Sequence, residues 1–269
     1  MYFDKHNTIA LYACQLVSLK IMRKFVLSMF ALAGLMLCPA VNALTITNET
    51  LNYQVVYHWG IVWKHAADAT LTTTKTANGY SSRLTGKTRS WADKIYTVRD
   101  TLKCTMNSNF RPIKYEKFTH EGSYYAHDIV EFTNYGASTS AKCTRYRKNK
   151  PTANLTLNAN GVAYDMLSVF FMLRNINFEK MKNNNTYSTW IFSGKEKEIL
   201  TIKYVGIEPL QLRDKSHHQA FHIKLKFTQD SGKKSSDDID AYISTGPQRI
   251  PLMVVGKLPV GEIKCYYAK

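Results

Sequence analysis

The chain has 269 residues, 45% of them hydrophobic, and 36 Lys and Arg against 20 Asp and Glu give a formal net charge of +16. This length is enough to bury a core. The basic charge indicates acidic partners such as nucleic acid, anionic lipid head groups or anionic glycans, or a solvated surface of mixed charge. The apolar run Phe25–Leu37 is shorter than the about 20 residues that a transmembrane helix needs, which argues against a membrane anchor.

The segment Met22–Ala43 has the three parts of a secretory signal peptide. Arg23-Lys24 gives a positive start, Phe25–Leu37 gives the apolar stretch, and Val41-Asn42-Ala43 gives a cleavage site of small residues. We therefore expect the true start at Met22, an upstream extension over residues 1–21, and cleavage directly after residue 43.

Export would place the protein outside the cytoplasm and would exclude some of the partners that its charge could attract. Residues 1–43 hold four basic residues and one acidic residue, so 32 and 19 remain in residues 44–269, a net charge of +13. These 226 residues suit a single β-rich domain. We expect it outside the cytoplasm, without nucleic acid as a partner. A lipid anchor on Cys38 is disfavoured because Leu37 before it is large.

From Leu51 onward the dominant hydrophobic period is two. The runs Leu51–Trp59, Phe221–Phe227 and Ile239–Ile243 alternate apolar residues with polar or smaller ones, which predicts strands with one face on a core. Short turn signals such as Asn78-Gly79 and Tyr135-Gly136 join neighbouring runs and predict an antiparallel meander. The outward positions carry Lys, His and Asp, which argues against an outer-membrane barrel.

One segment departs from this period. Asp165 is placed to cap a helix, and Met166, Val169, Phe170 and Leu173 follow helical spacing. We predict a mainly β fold: a curved antiparallel meander sheet or partly open barrel, with one apolar helix near residues 165–175 on its concave face. The apolar stripe could fill the core or line a lipid pocket, and both alternatives remain open.

Three cysteines, Cys104, Cys143 and Cys265, remain in residues 44–269. An odd number cannot be fully paired within one chain, so one disulfide with a free thiol and three buried thiols are both open. Leu102, Cys104 and Met106 share one strand face, which favours a buried position for Cys104.

The common catalytic signatures are missing from the sequence. It has no G-x-S-x-G elbow, no H-E-x-x-H, no phosphate-binding glycine loop and no C-x-x-C. His120 and His127 have opposite strand parity, while His218 and His222 lie beside lysines without an adjacent carboxylate or cysteine. We therefore expect no catalytic residue, no cofactor and no metal site.

A polar cluster near one strand start offers the best candidate ligand site. It combines an aromatic residue with alternating charges, and the Arg99 guanidinium could bind a carboxylate or phosphate. The alternative is an ion-paired strand start that packs on the core. The candidate ligand-binding residues are Trp91, Asp93, Lys94, Arg99, Asp100, Tyr115 and Glu116.

Several segments together resemble a known family. They are Tyr57–Gly60, Ser90–Asp100, Tyr115–Lys117, His120–Gly122, Ala126–Asp128, Tyr164–Ser168, Gln248–Leu252 and Leu258–Ile263. Their order is similar to that of the domain-of-unknown-function 3108 family over essentially residues 50–266. The resemblance implies an exported bacterial protein of the Gram-negative periplasm with a signal peptide and a β-rich fold, and it transfers no catalytic residue.

Two functions are compatible with these patterns. The first is a non-catalytic periplasmic protein, not an enzyme, that binds an apolar ligand or an anionic envelope component, or assists envelope assembly. The alternative is an envelope glycan hydrolase, which needs two carboxylates about 5–10 Å apart. Asp93, Asp100 and Glu116 are the only candidates for that pair.

Overall fold

We describe the protein from a computed structural model, over residues 44–230, 235–258 and 261–269. The predicted signal segment, residues 1–43, lies outside this range. The described part is almost entirely strand, with two short helices, α1 (Ser90–Asp93) and α2 (Ser168–Arg174), and a 3-10 helix at Phe178–Lys180. None of these helices has the length and apolar character required to cross a membrane.

The strands form one sheet whose order follows the chain with a single exception. The strands are β1 (Asn48–Trp59), β2 (Val62–Thr76), β3 (Gly79–Thr88), β4 (Arg99–Asn107), β5 (Pro112–Glu121), β6 (Tyr124–Tyr135), β7 (Ser138–Arg147), β8 (Ala153–Ala159), β9 (Ala163–Tyr164), β10 (Thr186–Phe192), β11 (Lys197–Gln211), β12 (His217–Gln229), β13 (Ile239–Ser244), β14 (Pro251–Lys257) and β15 (Glu262–Ala268). The exception is that β1 pairs with both β2 and β15, so the two edges of the sheet are β8 and β9.

The two edges approach each other and nearly close the sheet into a barrel. The Thr139 hydroxyl on β7 donates to the Gly161 carbonyl at 3.0 Å and accepts from the Ala163 backbone N–H at 3.1 Å. Lys197 Nζ, at the start of β11, donates to the Asn158 carbonyl on β8 at 3.1 Å. The predicted antiparallel, partly open barrel is confirmed. Every strand pair is antiparallel except β9 with β10.

Helix α2 lies inside the barrel, as its apolar stripe predicts. It begins at Ser168 rather than at residue 165, directly after Leu167, and Asp165 lies in the turn that precedes it. Asp165 Oδ1 accepts from the backbone N–H groups of Leu167 and Ser168 at 2.7 and 2.9 Å, while Ser168 Oγ accepts from the Asp165 N–H at 3.0 Å. These bonds satisfy amide groups that a helix start leaves without partners. Phe171 is fully buried on this helix.

A buried arginine ends this helix and joins it to the barrel wall. We call the end of the barrel that holds Arg174 the lower end, and the opposite end, at the β1–β2 turn, the upper end. The Arg174 guanidinium pairs with both carboxylate oxygens of Glu49 on β1, with Nη2 at 2.9 Å from Oε2. It also donates to the Arg249 carbonyl at 3.1 Å and the Gln248 carbonyl at 2.9 Å. We call these contacts the Arg174 clamp. It holds the helix, the first strand and the loop before β14 together.

The three cysteines in the described residues are all free thiols, which resolves the pairing question in favour of no disulfide. Cys104 Sγ donates to Asp165 Oδ2 at 3.0 Å. Burial raises the pKa of the Cys143 and Cys265 thiols to about 12 and that of Cys104 well above its ordinary value.

We expect the three thiols to resist alkylation in the native protein. With a pKa of about 12, about one thiol in ten thousand is ionised at pH 8, and the thiolate is the reactive form. The measurement is iodoacetamide labelling of residues 44–269 at pH 8, with and without urea, followed by mass spectrometry. We expect three labelled cysteines in urea and fewer than one without it. A disulfide, or one rapidly labelled native thiol, would contradict this description.

Candidate functional site

A cavity of about 300 Å³ lies inside the barrel. Met166 and Phe170 line it from the helix side, Leu102 from β4, and Leu225 and Phe227 from β12. Inward positions of alternating strands supply most of this wall, so the period-two pattern that builds the sheet also makes the cavity apolar. The cavity is thus a concave apolar site of the kind that binds small apolar molecules.

A few polar side chains reach this apolar cavity: Asp100, Tyr115, Lys117 and Ser193. Asp100 is only 6% exposed. Its Oδ1 accepts from the His120 backbone N–H at 2.9 Å. Its Oδ2 has no hydrogen-bond partner among the described residues. Lys117 Nζ lies 4.0 Å from that oxygen. Burial raises the pKa of the Asp100 carboxyl, and Lys117 partly offsets this effect.

Tyr115 is the second polar group whose bonding capacity is unused. Its side chain is completely buried in the cavity wall, and its hydroxyl has no partner in the described part of the chain. Burial raises its pKa well above the ordinary value, and carboxylates such as Asp165 and Asp128 add to this shift. An unpaired buried hydroxyl costs about 1–3 kcal/mol, so a ligand or water that bonds to it would recover that free energy.

Two of the predicted site residues lie outside the barrel. The Trp91 Nε1–H donates to the His65 carbonyl on β2 at 2.7 Å, and Lys64 Nζ lies 4.0 Å from the centre of the indole ring. Lys94 is exposed directly after α1. Trp91 therefore attaches α1 to the second strand and does not reach the cavity.

The sequence predicts that the Arg99 guanidinium binds an anionic ligand. In the structure it is already paired with a carboxylate of the same chain. It pairs with both carboxylate oxygens of Asp93, at 2.9 and 2.6 Å, and also donates to the Thr88 hydroxyl at 2.9 Å. The Arg99 and Thr88 hydrogen bonds lower the pKa of the Asp93 carboxyl to about 2. This arrangement corresponds to the ion-paired strand start that the sequence offered as the alternative.

The carboxylates required for the hydrolase hypothesis do not come together. Glu116 is paired in register with Lys103, so it lies on the face of the sheet opposite to Asp100, and its Oε1 is 3.3 Å from His127 Nε2. Asp93 is held by Arg99. The structure therefore does not support a hydrolytic site built from these three residues.

Of the seven predicted residues, only Asp100 and Tyr115 line the cavity. Sequence reasoning missed Lys117 and Ser193. Lys117 could have been predicted, because it lies two positions after Tyr115 on the same strand, β5, and must share its face of the sheet. Ser193 had no such signal, because it reaches the cavity from the turn between β10 and β11.

A second, shallower groove of about 420 Å³ lies on the outer face across β5, β6 and β7. Two rows of stacked rings border it: Phe118 with His127, at 4.1 Å between centroids, and His120 with Tyr125, also at 4.1 Å. Arg99, Arg147 and Lys148 line it as well. The Arg99 guanidinium pairs with Asp93 and that of Arg147 pairs with Asp128, so much of their positive charge is already neutralised.

One of the three histidines on β12, His222, corrects a sequence-based expectation. His222 does have adjacent carboxylates: Nδ1 lies 3.0 Å from Glu208 Oε1, and Nε2 lies 2.7 Å from Asp240 Oδ1. Both ring nitrogens are therefore engaged and neither is free to ligate a metal. No cluster of three His, Cys, Asp or Glu side chains suited to a metal ion occurs in residues 44–230, 235–258 and 261–269.

The nearly closed sheet and its internal cavity define a mainly β, barrel-like protein with a helix inside. The chain belongs to the family of proteins of unknown function DUF3108, whose family model matches residues 52–267. This confirms the family resemblance found in the sequence. A comparison with curated proteins gives no match.

Among solved structures, the chain is similar to a beta-barrel-like protein of the domain of unknown function DUF1849 from Brucella abortus. The TM-score is 0.54 at 8% sequence identity, and the match covers 83% of this chain and 96% of that one. At this identity the likeness concerns the fold alone.

Proposed function

We propose that this protein is a non-catalytic binding protein of the bacterial cell envelope that holds an apolar ligand inside its barrel. The observation that carries this proposal is the apolar cavity of about 300 Å³ above helix α2. This volume is at the lower end of the range for ligand pockets, about 300–1,000 Å³. A ligand of this size corresponds to one aliphatic chain or one small ring system.

An apolar ligand is better supported than an anionic one. The outer groove offers Arg99 and Arg147, but both are bound by carboxylates of the same chain, and an incoming anion would have to displace them. The inner cavity needs no such exchange, because most of its wall is hydrophobic. Transfer of an aliphatic ligand from water to this wall contributes about 0.8 kcal/mol for each buried methylene group.

Location in the envelope is proposed from the sequence of residues 22–43, with its positive start, apolar stretch and small-residue cleavage site. The test is expression with a C-terminal tag, cell fractionation and N-terminal sequencing. The expected result is a periplasmic protein that begins at Leu44. An unprocessed protein that stays in the cytoplasm would contradict this part of the proposal without affecting the cavity.

The binding role is tested by extracting protein purified from its own cells with organic solvent and analysing the extract by mass spectrometry. The informative variant is Ala241→Phe, because Ala241 lines the cavity and a phenyl group there would fill it. The matched control is Ile207→Phe, which places the same ring at an exposed position. We expect an apolar compound to co-purify with the wild type and the control, and at least tenfold less with Ala241→Phe. Equal amounts in all three would contradict the proposal.

A further inference from the structure

We infer that the ligand of the cavity carries a hydroxyl group, which binds between Asp100 and Lys117. The ligand class is a neutral aliphatic alcohol, in contrast to a fatty acid or a pure hydrocarbon. This inference rests on the proposed function, since it assigns the polar end of the molecule that the apolar cavity would hold. It depends on one pair of charged side chains and their distance.

Asp100 and Lys117 lie close together but do not form a direct hydrogen bond. Asp100 Oδ2 is buried without a hydrogen-bond partner in the described residues, and Lys117 Nζ lies 4.0 Å from it. That distance exceeds the about 3.2 Å limit of an N–H···O hydrogen bond. One oxygen atom placed between the two can be about 2.8 Å from each, so a single hydroxyl can accept from the ammonium and donate to the carboxylate.

The position of the pair suits the polar end of an amphiphile. Asp100 is next to the first residue of β4, and Lys117 lies in the second half of β5, so both are near the upper end of the barrel. The Lys117 side chain is 20% exposed, whereas that of Asp100 is 7% exposed. The remaining wall is mainly apolar. A hydroxyl at the pair therefore leaves the aliphatic part of the molecule against Leu102, Leu225 and Phe227.

Other head groups fit this pair less well. A carboxylate could accept from Lys117, but it would stand within about 5 Å of the Asp100 carboxyl, and like charges at that distance repel. A hydrocarbon would leave Asp100 Oδ2 unpaired and cover it further from water, at a cost in free energy. A hydroxyl both donates and accepts, so it satisfies the two side chains together.

The test measures displacement of the neutral fluorescent probe N-phenyl-1-naphthylamine from the mature protein at pH 7.5. The competitors are 1-decanol, decanoate and decane, which share one chain length and differ only at the end group. We expect 1-decanol to bind about tenfold more tightly than decane and than decanoate, because hydrogen bonds to charged groups are among the stronger ones. Lys117→Met should reduce the advantage of 1-decanol over decane, because the hydroxyl then keeps only its bond to Asp100, and should leave the affinity for decane within about threefold.

The matched control is Lys94→Met, which makes the same substitution at an exposed lysine outside the cavity and should keep the preference for 1-decanol. Asp100→Asn keeps the oxygen that accepts from the His120 N–H but places an NH2 donor where Oδ2 lies, so the ligand hydroxyl loses its acceptor and the preference for 1-decanol should fall. Equal binding of 1-decanol and decane by the wild type, tightest binding of decanoate, or loss of the preference in Lys94→Met would each overturn the inference while the proposed function stands. If neither the probe nor any competitor binds, the proposed function fails as well.

Discussion

Replacement of Arg174 by methionine is expected to lower the free energy of unfolding by about 3–5 kcal/mol. The side chain of Arg174 is 1% exposed, and its partner Glu49 is 17% exposed, so the remaining carboxylate would be largely buried without its cation. The carbonyls of Gln248 and Arg249 would lose donors as well. The measurement is the urea unfolding midpoint and slope at pH 7, followed by circular dichroism.

The double variant Glu49→Met/Arg174→Met is the control for this prediction. It removes both charges together, so it leaves no unpaired ion, and we expect it to be more stable than Arg174→Met alone. If Arg174→Met changes the free energy of unfolding by less than about 1 kcal/mol, the Arg174 clamp does not hold the lower end together. If the double variant is the less stable of the two, the cost has another origin than the unpaired carboxylate.

The second large effect is expected for Asp165→Ala, which should lower the free energy of unfolding by about 2–4 kcal/mol. The substitution removes the acceptor for the amides of Leu167 and Ser168 and for the Cys104 thiol. Loss of a helix cap costs about 0.5–2 kcal/mol, and each buried donor left unpaired adds about 1–3 kcal/mol. Part of this cost is offset, because a buried carboxyl is itself unfavourable.

Asp165→Asn is the matched control, since its amide oxygen still accepts from the two backbone amides. Burial raises the pKa of the Asp165 carboxyl, so the native state holds this proton more tightly than the unfolded chain. This group therefore lowers stability progressively as the pH rises from about 4, the unfolded value, through the native pKa. We expect Asp165→Asn to be less sensitive to pH over that window than the wild type. Unfolding curves at several pH values test this, and an unchanged pH dependence would contradict the shifted pKa.

Much of the fold follows from local patterns in the sequence. The alternation along Phe221–Phe227 predicts a strand because burial of one face requires period two, and the Asn78-Gly79 turn predicts the hairpin of β2 and β3. Closure of the barrel is different, because it depends on contacts between distant residues. Glu49 and Arg174 are 125 positions apart, and no periodic pattern marks such a pair. The near closure of the edges through Thr139 is equally invisible in the sequence.

The candidate site was predicted only in part, and for a physical reason. The cluster around Trp91 is unusual in the sequence because its charges alternate, but in the structure Asp93 and Arg99 satisfy each other. Asp100 and Tyr115 were named as members of that polar cluster, but their side chains line the interior cavity instead. Local patterns report which charges are neighbours along the chain, whereas a cavity depends on which ones remain unpaired after folding.

The pairing of the first and last strands has a consequence for the order of folding. β1 pairs with β15, which lies more than 200 positions later in the sequence. Asn52, for example, pairs with Ala268. Closing so long a loop costs conformational entropy before any contact between the two strands offsets that cost. Topologies of this kind therefore fold slowly. Until β15 leaves the ribosome, β1 has one unpaired edge, and such an edge pairs readily with other chains. A newly made molecule is therefore most exposed to aggregation just before the seven residues of β15 become available.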